Sequence, residues 1–243
     1  PVVLRFESEI RHAPRRALSV IPSAARDLCV RERSLAALGM TEGTVHPEPA
    51  LESQTMDQKQ TATVVDILWN DAGAMAQLGA LRSLALPDSW IGAGFVRNRV
   101  WDRLIGRSTL SDQDDADVVY YDDSDPDGDR ENEIEARLEA LIPGVIWQPR
   151  NQRRMHLWRG KGDAPYRDTE DAMRHWLETP TAVAARLTSN ERIELLAPYG
   201  LDDLLNLTCR PTPAGLRRAD DYRQRLASKG WCQRWPEARF LEP

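Results

Sequence analysis

The stretch Trp90–Asp123, WIGAGFVRNRVWDRLIGRSTLSDQDDADVVYYDD, restricts the possible folds more than any other part of the chain. A short apolar run, Trp90-Ile91, breaks into Gly92-Ala93-Gly94, and an amphipathic segment follows. The stretch then passes through Asp115-Ala116-Asp117 into the apolar strand Val118-Val119-Tyr120-Tyr121. A glycine turn that opens a helix lets backbone N–H groups approach an anion such as phosphate. Side chains alternate along a strand, so Asp115 and Asp117 share one face while Ala116 and Val118 point into the sheet. Paired carboxylates beside a phosphate cradle suit metal-assisted chemistry at phosphorus. An Asp-x-Asp pair alone is equally a surface feature of a strand end, and the preceding glycine turn makes this one informative.

The rest of the chain narrows the class. At 243 residues there is room for a sizeable core in one large domain or two small ones. A formal net charge of −6 argues against a protein that coats nucleic acid, while leaving room for a local basic groove. The three cysteines, Cys29, Cys209 and Cys232, are scattered and form no CxxC pair. That pattern predicts neither a disulfide framework nor a zinc site and fits a reducing cytoplasm. No apolar run approaches the ~18 residues of a membrane span, so no membrane partner is expected. The start, PVVLRFESEIRHAPRR, does not read as a signal peptide.

Residues 1–55 carry scattered prolines and arginines without a sustained apolar period, and read as a disordered, mobile leader apart from a short helix near Ser23–Leu38. Residues 56–243 read as the folded domain, with a native start expected at Met56. Apolar residues from Val64 to Leu84 recur at helical spacing, which predicts a helical pair bent at Asn70-Asp71 and ended by Leu86-Pro87-Asp88. Further helices are predicted over Glu131–Leu141, from Thr169 through Leu177, around Gly200–Leu205 and over Asp220–Lys229. Strands are predicted at Val145–Trp147, within Thr181–Leu187 and at Ile193–Leu196.

Arg97 and Asn98 open the helix after the glycine turn, where they either meet phosphate or pack at the sheet edge. The run Arg150–His156 concentrates cations and amides after a predicted strand. Arg153, Arg154 and His156 are candidates to neutralise phosphate, and Asn151 and Gln152 to bond a base or ribose, against a solvated basic turn as the alternative. Asp123, Asp125, Asp127 and Gly128 imitate the start of a calcium loop, but position twelve is Ile134 and Pro126 interrupts it, so a solvated turn is expected. Gly160-Lys161-Gly162 lacks the spacing of a P-loop. No serine, cysteine or histidine sits in a nucleophile pattern. Trp90, Trp101, Trp147 and Trp176 read as core anchors. The segment Tyr222–Lys229, with Arg223, Arg225 and Lys229, is either a substrate-side basic face or an exposed one.

Ala93-Gly94-Phe95-Val96-Arg97-Asn98 resembles the GGxVRD turn of tRNA CCA-adding enzymes and poly(A) polymerases. Asp115-Ala116-Asp117-Val118 resembles the acidic strand of the DNA polymerase β-like nucleotidyltransferase superfamily. A bacterial group described only as nucleotidyltransferase family protein is more similar still, through AGFVRNRVWDRL, DADVVYYD, NQRRMHLW, TAVAARL, APYGLDDLL and the Tyr222–Trp231 segment. The likeness spans roughly 58–240. It implies an α/β (α+β) domain, a small mixed sheet flanked by helices. It also implies that the turn at Gly92 and Gly94 grips a nucleoside triphosphate such as ATP, and that Asp115 and Asp117 hold Mg²⁺, with Mn²⁺ as an alternative. Nucleotide contacts are then expected from Gly92, Gly94, Arg97, Asn98, Asn151, Gln152, Arg154 and His156.

Three departures from the superfamily pattern stand out. Ala93 replaces the first glycine of the pair, the gap from Gly94 to Asp115 is long, and the third acid of the superfamily has no counterpart near Val145–Gln148. Asp171, Glu178 and Asp203 are the substitutes. The expected activity is Mg²⁺-dependent transfer of a nucleoside monophosphate to an unidentified acceptor, with nucleic acid left open. A catalytically weak nucleotide-binding module and a metal-dependent phosphohydrolase are the alternatives.

Overall fold

A computed structural model describes residues 49–107, 115–160 and 163–243, with side chains from Asp57 onward except at 159–160. The predicted helix near Ser23–Leu38 lies outside the described residues. Helix α1 (Pro49–Trp69) begins inside the stretch assigned by sequence to the leader, and α2 (Ala72–Ser83) follows. The break falls at Asn70-Asp71 as the polar pair predicts. Asp71 is extended and its carboxylate accepts from Ala74 N at 2.8 Å, supplying the N-cap of α2.

Strand β1 (Trp90–Gly92) runs into α3 (Gly94–Leu104), and β2 (Ala116–Tyr120) runs towards α4 (Glu131–Leu141). Asp71 also pairs with Arg99 of α3 at 3.1 Å, which ties the start of α2 to the central unit. Strand β3 (Trp147–Asn151) leads into a 3₁₀ segment, Gln152–Gly160, and then α5 (Thr169–Met173). Strands β4 (Ala184–Leu187) and β5 (Ile193–Leu196) complete the main sheet. The chain closes with α6 (Asp202–Leu205), β6 (Thr208–Cys209), α7 (Pro213–Arg217), α8 (Ala219–Lys229), α9 (Trp231–Arg234) and β7 (Arg239–Phe240).

The main sheet has five strands in the order β3-β2-β1-β4-β5. β1 is antiparallel to both neighbours, β2 and β3 are parallel, and β4 and β5 are antiparallel. This is the mixed sheet with flanking helices that the resemblance implies. The period of two along each strand splits its faces. Ile91, Ala116, Val118, Tyr120, Trp147 and Ala185 join the main core with Leu68, Leu78, Leu81, Val100, Trp101, Ile134 and Leu138 of the helices. Trp90, Val119 and Ala184 point the other way, where Met173 of α5 covers them with Trp176 and Leu196 beside it.

The C-terminal elements pack on α3. Trp101 Nε1 donates to the Leu204 carbonyl at 2.9 Å, and Trp235 Nε1 donates to Asp102 at 2.7 Å. The two indoles meet edge to face at 5.2 Å between centroids, a favoured aromatic geometry. Among the described residues, no helix is long and apolar enough to cross a membrane.

Two elements differ from expectation. The third strand starts at Trp147 and continues through Arg150-Asn151, because Ala116 sets the parallel register with Trp147 and leaves Ile146 outside at 65 % exposure. Helix α5 stops at Met173, well short of Leu177, because the Trp176 indole turns instead to pack against Gly92.

Candidate active site

The glycine turn and the acid pair meet at one point of the sheet. Gly92, the last residue of β1, stands opposite Asp117 in the antiparallel ladder, with Ala184 on its other side. A Cβ at Gly92 would lie 3.0 Å from the Trp176 indole and 3.3 Å from Ala184 Cβ, so only glycine fits without displacing them. Ala93 then takes φ 55° and ψ −121°, a conformation normally reserved for glycine, and Gly94 begins α3. The turn thus keeps its shape although alanine fills the first position of the resembled glycine pair. Its strain is of order 1–3 kcal/mol, the cost typical of such backbone states. The N-terminus of α3 is buried and carries no side-chain cap, although the first N–H groups of a helix lack partners within it.

Asp115 precedes β2 and Asp117 lies within it; both are half-buried. Burial first, and then the negative charge of Asp115, push Asp117 up to about 6, against the pull of Arg225, Lys229 and Arg97. Two hard oxygen donors that repel one another fit a divalent cation, which relieves that repulsion on binding. Mg²⁺ needs only one or two protein carboxylates when phosphate and water supply the rest. Among the described residues, no group of three histidine, cysteine or acidic side chains gathers as a larger metal cage.

The proposed third acids are separated by the fold. Asp171 is engaged by Arg167, and Asp203 by Arg210 and Thr179. Glu178 is 1 % exposed and its Oε1 lies 2.7 Å from Arg225 Nε. That contact lies off the N–H axis and is a charge contact rather than an aligned hydrogen bond. The charge of Glu178 is therefore already matched by Arg225. Beside Asp117 on the parallel strand stands an amide, Gln148.

The remaining predicted nucleotide contacts fall into two groups. Arg97 is 2 % exposed and lies under the Trp231 ring at 4.1 Å, donating to Thr181 Oγ1 at 3.1 Å and to Asn98 Oδ1 at 2.8 Å. It is close enough to act on Asp117, but it faces the indoles rather than open solvent. Asn98 is buried beside it.

The Asn151–His156 run sits at the other end of the sheet. Asn151 pairs with Tyr120 while Asp117 pairs with Gln148, which separates them by roughly 10 Å of strand. The Asn151 side chain is consumed in holding the acidic loop: it donates to the Asp122 and Asp125 carbonyls at 2.9 and 2.7 Å and accepts from Asp122 N at 3.1 Å. Arg154 is bound to Glu131 at 2.6 Å, and Gln152 donates to the Arg150 carbonyl at 3.0 Å. His156 is buried, its ring edge-on to Tyr166 at 6.0 Å. In the acidic loop the Asp125 carboxylate accepts from Asp129 N at 2.9 Å, and Asp123 pairs with Arg153 at 2.8 Å, an arrangement of a closed turn.

A mixed sheet with a glycine turn locked beside an Asp-x-Asp strand is the arrangement that the resemblance to nucleotidyltransferases implies. A nucleotidyltransferase family model matches residues 79–240, which takes in the turn, the acid pair and α8, and the chain belongs to that family. Among solved structures it is similar to a protein whose NMR structure reveals a CCA-adding enzyme head domain. The two share 34% sequence identity at a TM-score of 0.66, over 74% of this chain and 95% of that one. No curated protein matches. Nucleotidyltransferases of this kind generally use divalent metals.

Proposed function

We propose that the protein moves a nucleoside monophosphate from a nucleoside triphosphate to an acceptor hydroxyl or phosphate, with Mg²⁺ or Mn²⁺ held by Asp115 and Asp117. The observation that carries this reading is the register of Gly92 against Asp117, which joins a phosphate-binding turn to a carboxylate pair. The uncapped N–H groups opening α3 suit the triphosphate, since they offer donors and the positive end of the helix dipole to an anion. When bound, the metal supplies charge neutralisation and lowers the pKa of the attacking group. Asp115 and Asp117 would hold the cation, ionised Asp117 and Asp115 supplying its oxygen donors, so that the α-phosphate is aligned on it for in-line attack. The acceptor oxygen forms a bond to the α-phosphorus as the bond to the bridging oxygen breaks, and pyrophosphate departs.

The likeness to a CCA-adding head domain supports an RNA 3′ end among the acceptors to try, while the net charge of −6 favours a small or protein acceptor. A second reading, a nucleotide-binding module with little turnover, is favoured by Glu178 being held by Arg225 instead of joining the acid pair. The test is incubation with each α-³²P-labelled NTP and Mg²⁺ in the presence of tRNA, protein and small-alcohol acceptor pools. Labelled product with matching pyrophosphate release supports transfer. Nucleotide binding without pyrophosphate release from any pool favours the second reading.

A further inference from the structure

Helix α8 meets the start of α3 around one indole that two guanidinium groups share. Arg97, in the first turn of α3, lies under Trp231 at 4.1 Å, and Arg225 of α8 lies over the same ring at 5.6 Å. Arg225 is half-buried and anchored at 2.7 Å by the almost fully buried Glu178. Lys229 comes four residues later, so it shares the helix face of Arg225 one turn on. Gly230, in the left-handed region at φ 64°, then ends the helix and turns the chain so that Trp231 enters the core. Lys229 is exposed and makes no ion pair among the described residues, in contrast to Arg223 and Arg225 on the same helix. Through Trp231, Arg225 is brought to the first turn of α3, beside the glycine turn, and Lys229 shares its helix face; the positive charges of both also act on Asp117.

We infer that Arg225 and Lys229 form a polyphosphate-binding wall on α8, in which Lys229 contacts the β- and γ-phosphates that leave as pyrophosphate. This rests on the nucleotidyl-transfer reading above. The division of labour follows from anchoring. Arg225 is fixed by Glu178 and Trp231 and supplies a constant positive field. Lys229 keeps a flexible stem and a hydrated ammonium group, suited to a phosphate that must bind and then leave. A lysine in the last turn also interacts favourably with the helix dipole, but that role affects stability rather than ligand affinity.

The test is isothermal titration of the full chain with Mg²⁺·tripolyphosphate and, separately, with Mg²⁺ and each NTP. The variants are Lys229→Gln, Lys229→Arg, Asp117→Asn and, as a control on the exposed surface of α1, Lys59→Gln. Loss of one charge-assisted phosphate contact weakens binding about tenfold. Lys229→Gln is expected to do this for tripolyphosphate and NTP alike, with Lys229→Arg restoring most of the affinity, Lys59→Gln matching wild type, and the ligand-free melting temperature of Lys229→Gln lowered only by the small helix-dipole contribution. Equal affinity in Lys229→Gln and wild type, with Asp117→Asn still abolishing Mg²⁺-dependent NTP binding, overturns the inference and leaves the transfer reading standing. No binding of either probe by wild type overturns both.

Discussion

Gly92 and Asp117 face each other across the β1–β2 ladder, so a glycine-dependent turn and a carboxylate pushed up to about 6 are one structural unit. Gly92 gives the indole of Trp176 room to close over the turn, and that packing contributes to the burial around Asp117. The same burial that destabilises an ionised Asp117 strengthens its hold on a cation once that cation is present.

Asp117 therefore trades stability for function. Its folded pKa of about 6 lies above the value near 3.9 of an unfolded aspartate, so the folded state binds the proton more tightly. Its stabilising contribution is complete below about pH 4 and is lost as pH rises through 6. Asp117→Asn is expected to stabilise the metal-free protein by about 1–3 kcal/mol at pH 7.5, with the difference vanishing near pH 4. Urea denaturation of both proteins in chelator across that range measures it.

Ala93→Gly is expected to stabilise the fold. Alanine at φ 55° and ψ −121° occupies a region that glycine enters without steric penalty. The extra unfolded-state freedom of glycine offsets part of the gain, which leaves about 0.5–2 kcal/mol. Chemical denaturation is the measurement, and a loss of stability contradicts the strained turn.

Glu131 holds the far end of the sheet. Its carboxylate, 6 % exposed, binds Arg154 at 2.6 Å and Arg150 at 3.3 Å and accepts from Asn151 N at 2.9 Å. Glu131→Ala is expected to cost about 2–4 kcal/mol by leaving these donors unmatched. Arg154→Ala should leave NTP affinity within twofold of wild type in titration calorimetry, since Arg154 lies with Asn151 and not with Asp117.

Local pattern carried much of the fold. Helix α4 has the predicted bounds because its apolar period runs unbroken up to Pro143-Gly144, and the bend at Asn70-Asp71 follows from the capping chemistry of Asp71. The meeting of turn and acid pair was legible for the same reason, since turn, helix and acid pair are consecutive. Contacts between distant segments were not. The destination of Arg97 depends on Trp231, which reaches it only after the whole C-terminal unit folds back. Asn151–His156 looked like a phosphate-binding run because its composition is right, but the parallel register of β2 and β3 carries it to the opposite end of the strand. Strands β6 and β7 are two residues each, too short to show a period.

Asp115 and Asp117 are expected to couple a divalent cation to triphosphate binding. Thermal unfolding of wild type and Asp117→Ala with each of the four NTPs, with and without Mg²⁺, tests it most directly, because a ligand bound to the native state raises the melting temperature. Wild type should gain several degrees with at least one NTP only when Mg²⁺ is present, and Asp117→Ala should gain none. An equal, metal-independent rise in both proteins, or no rise in wild type with any NTP, contradicts the account.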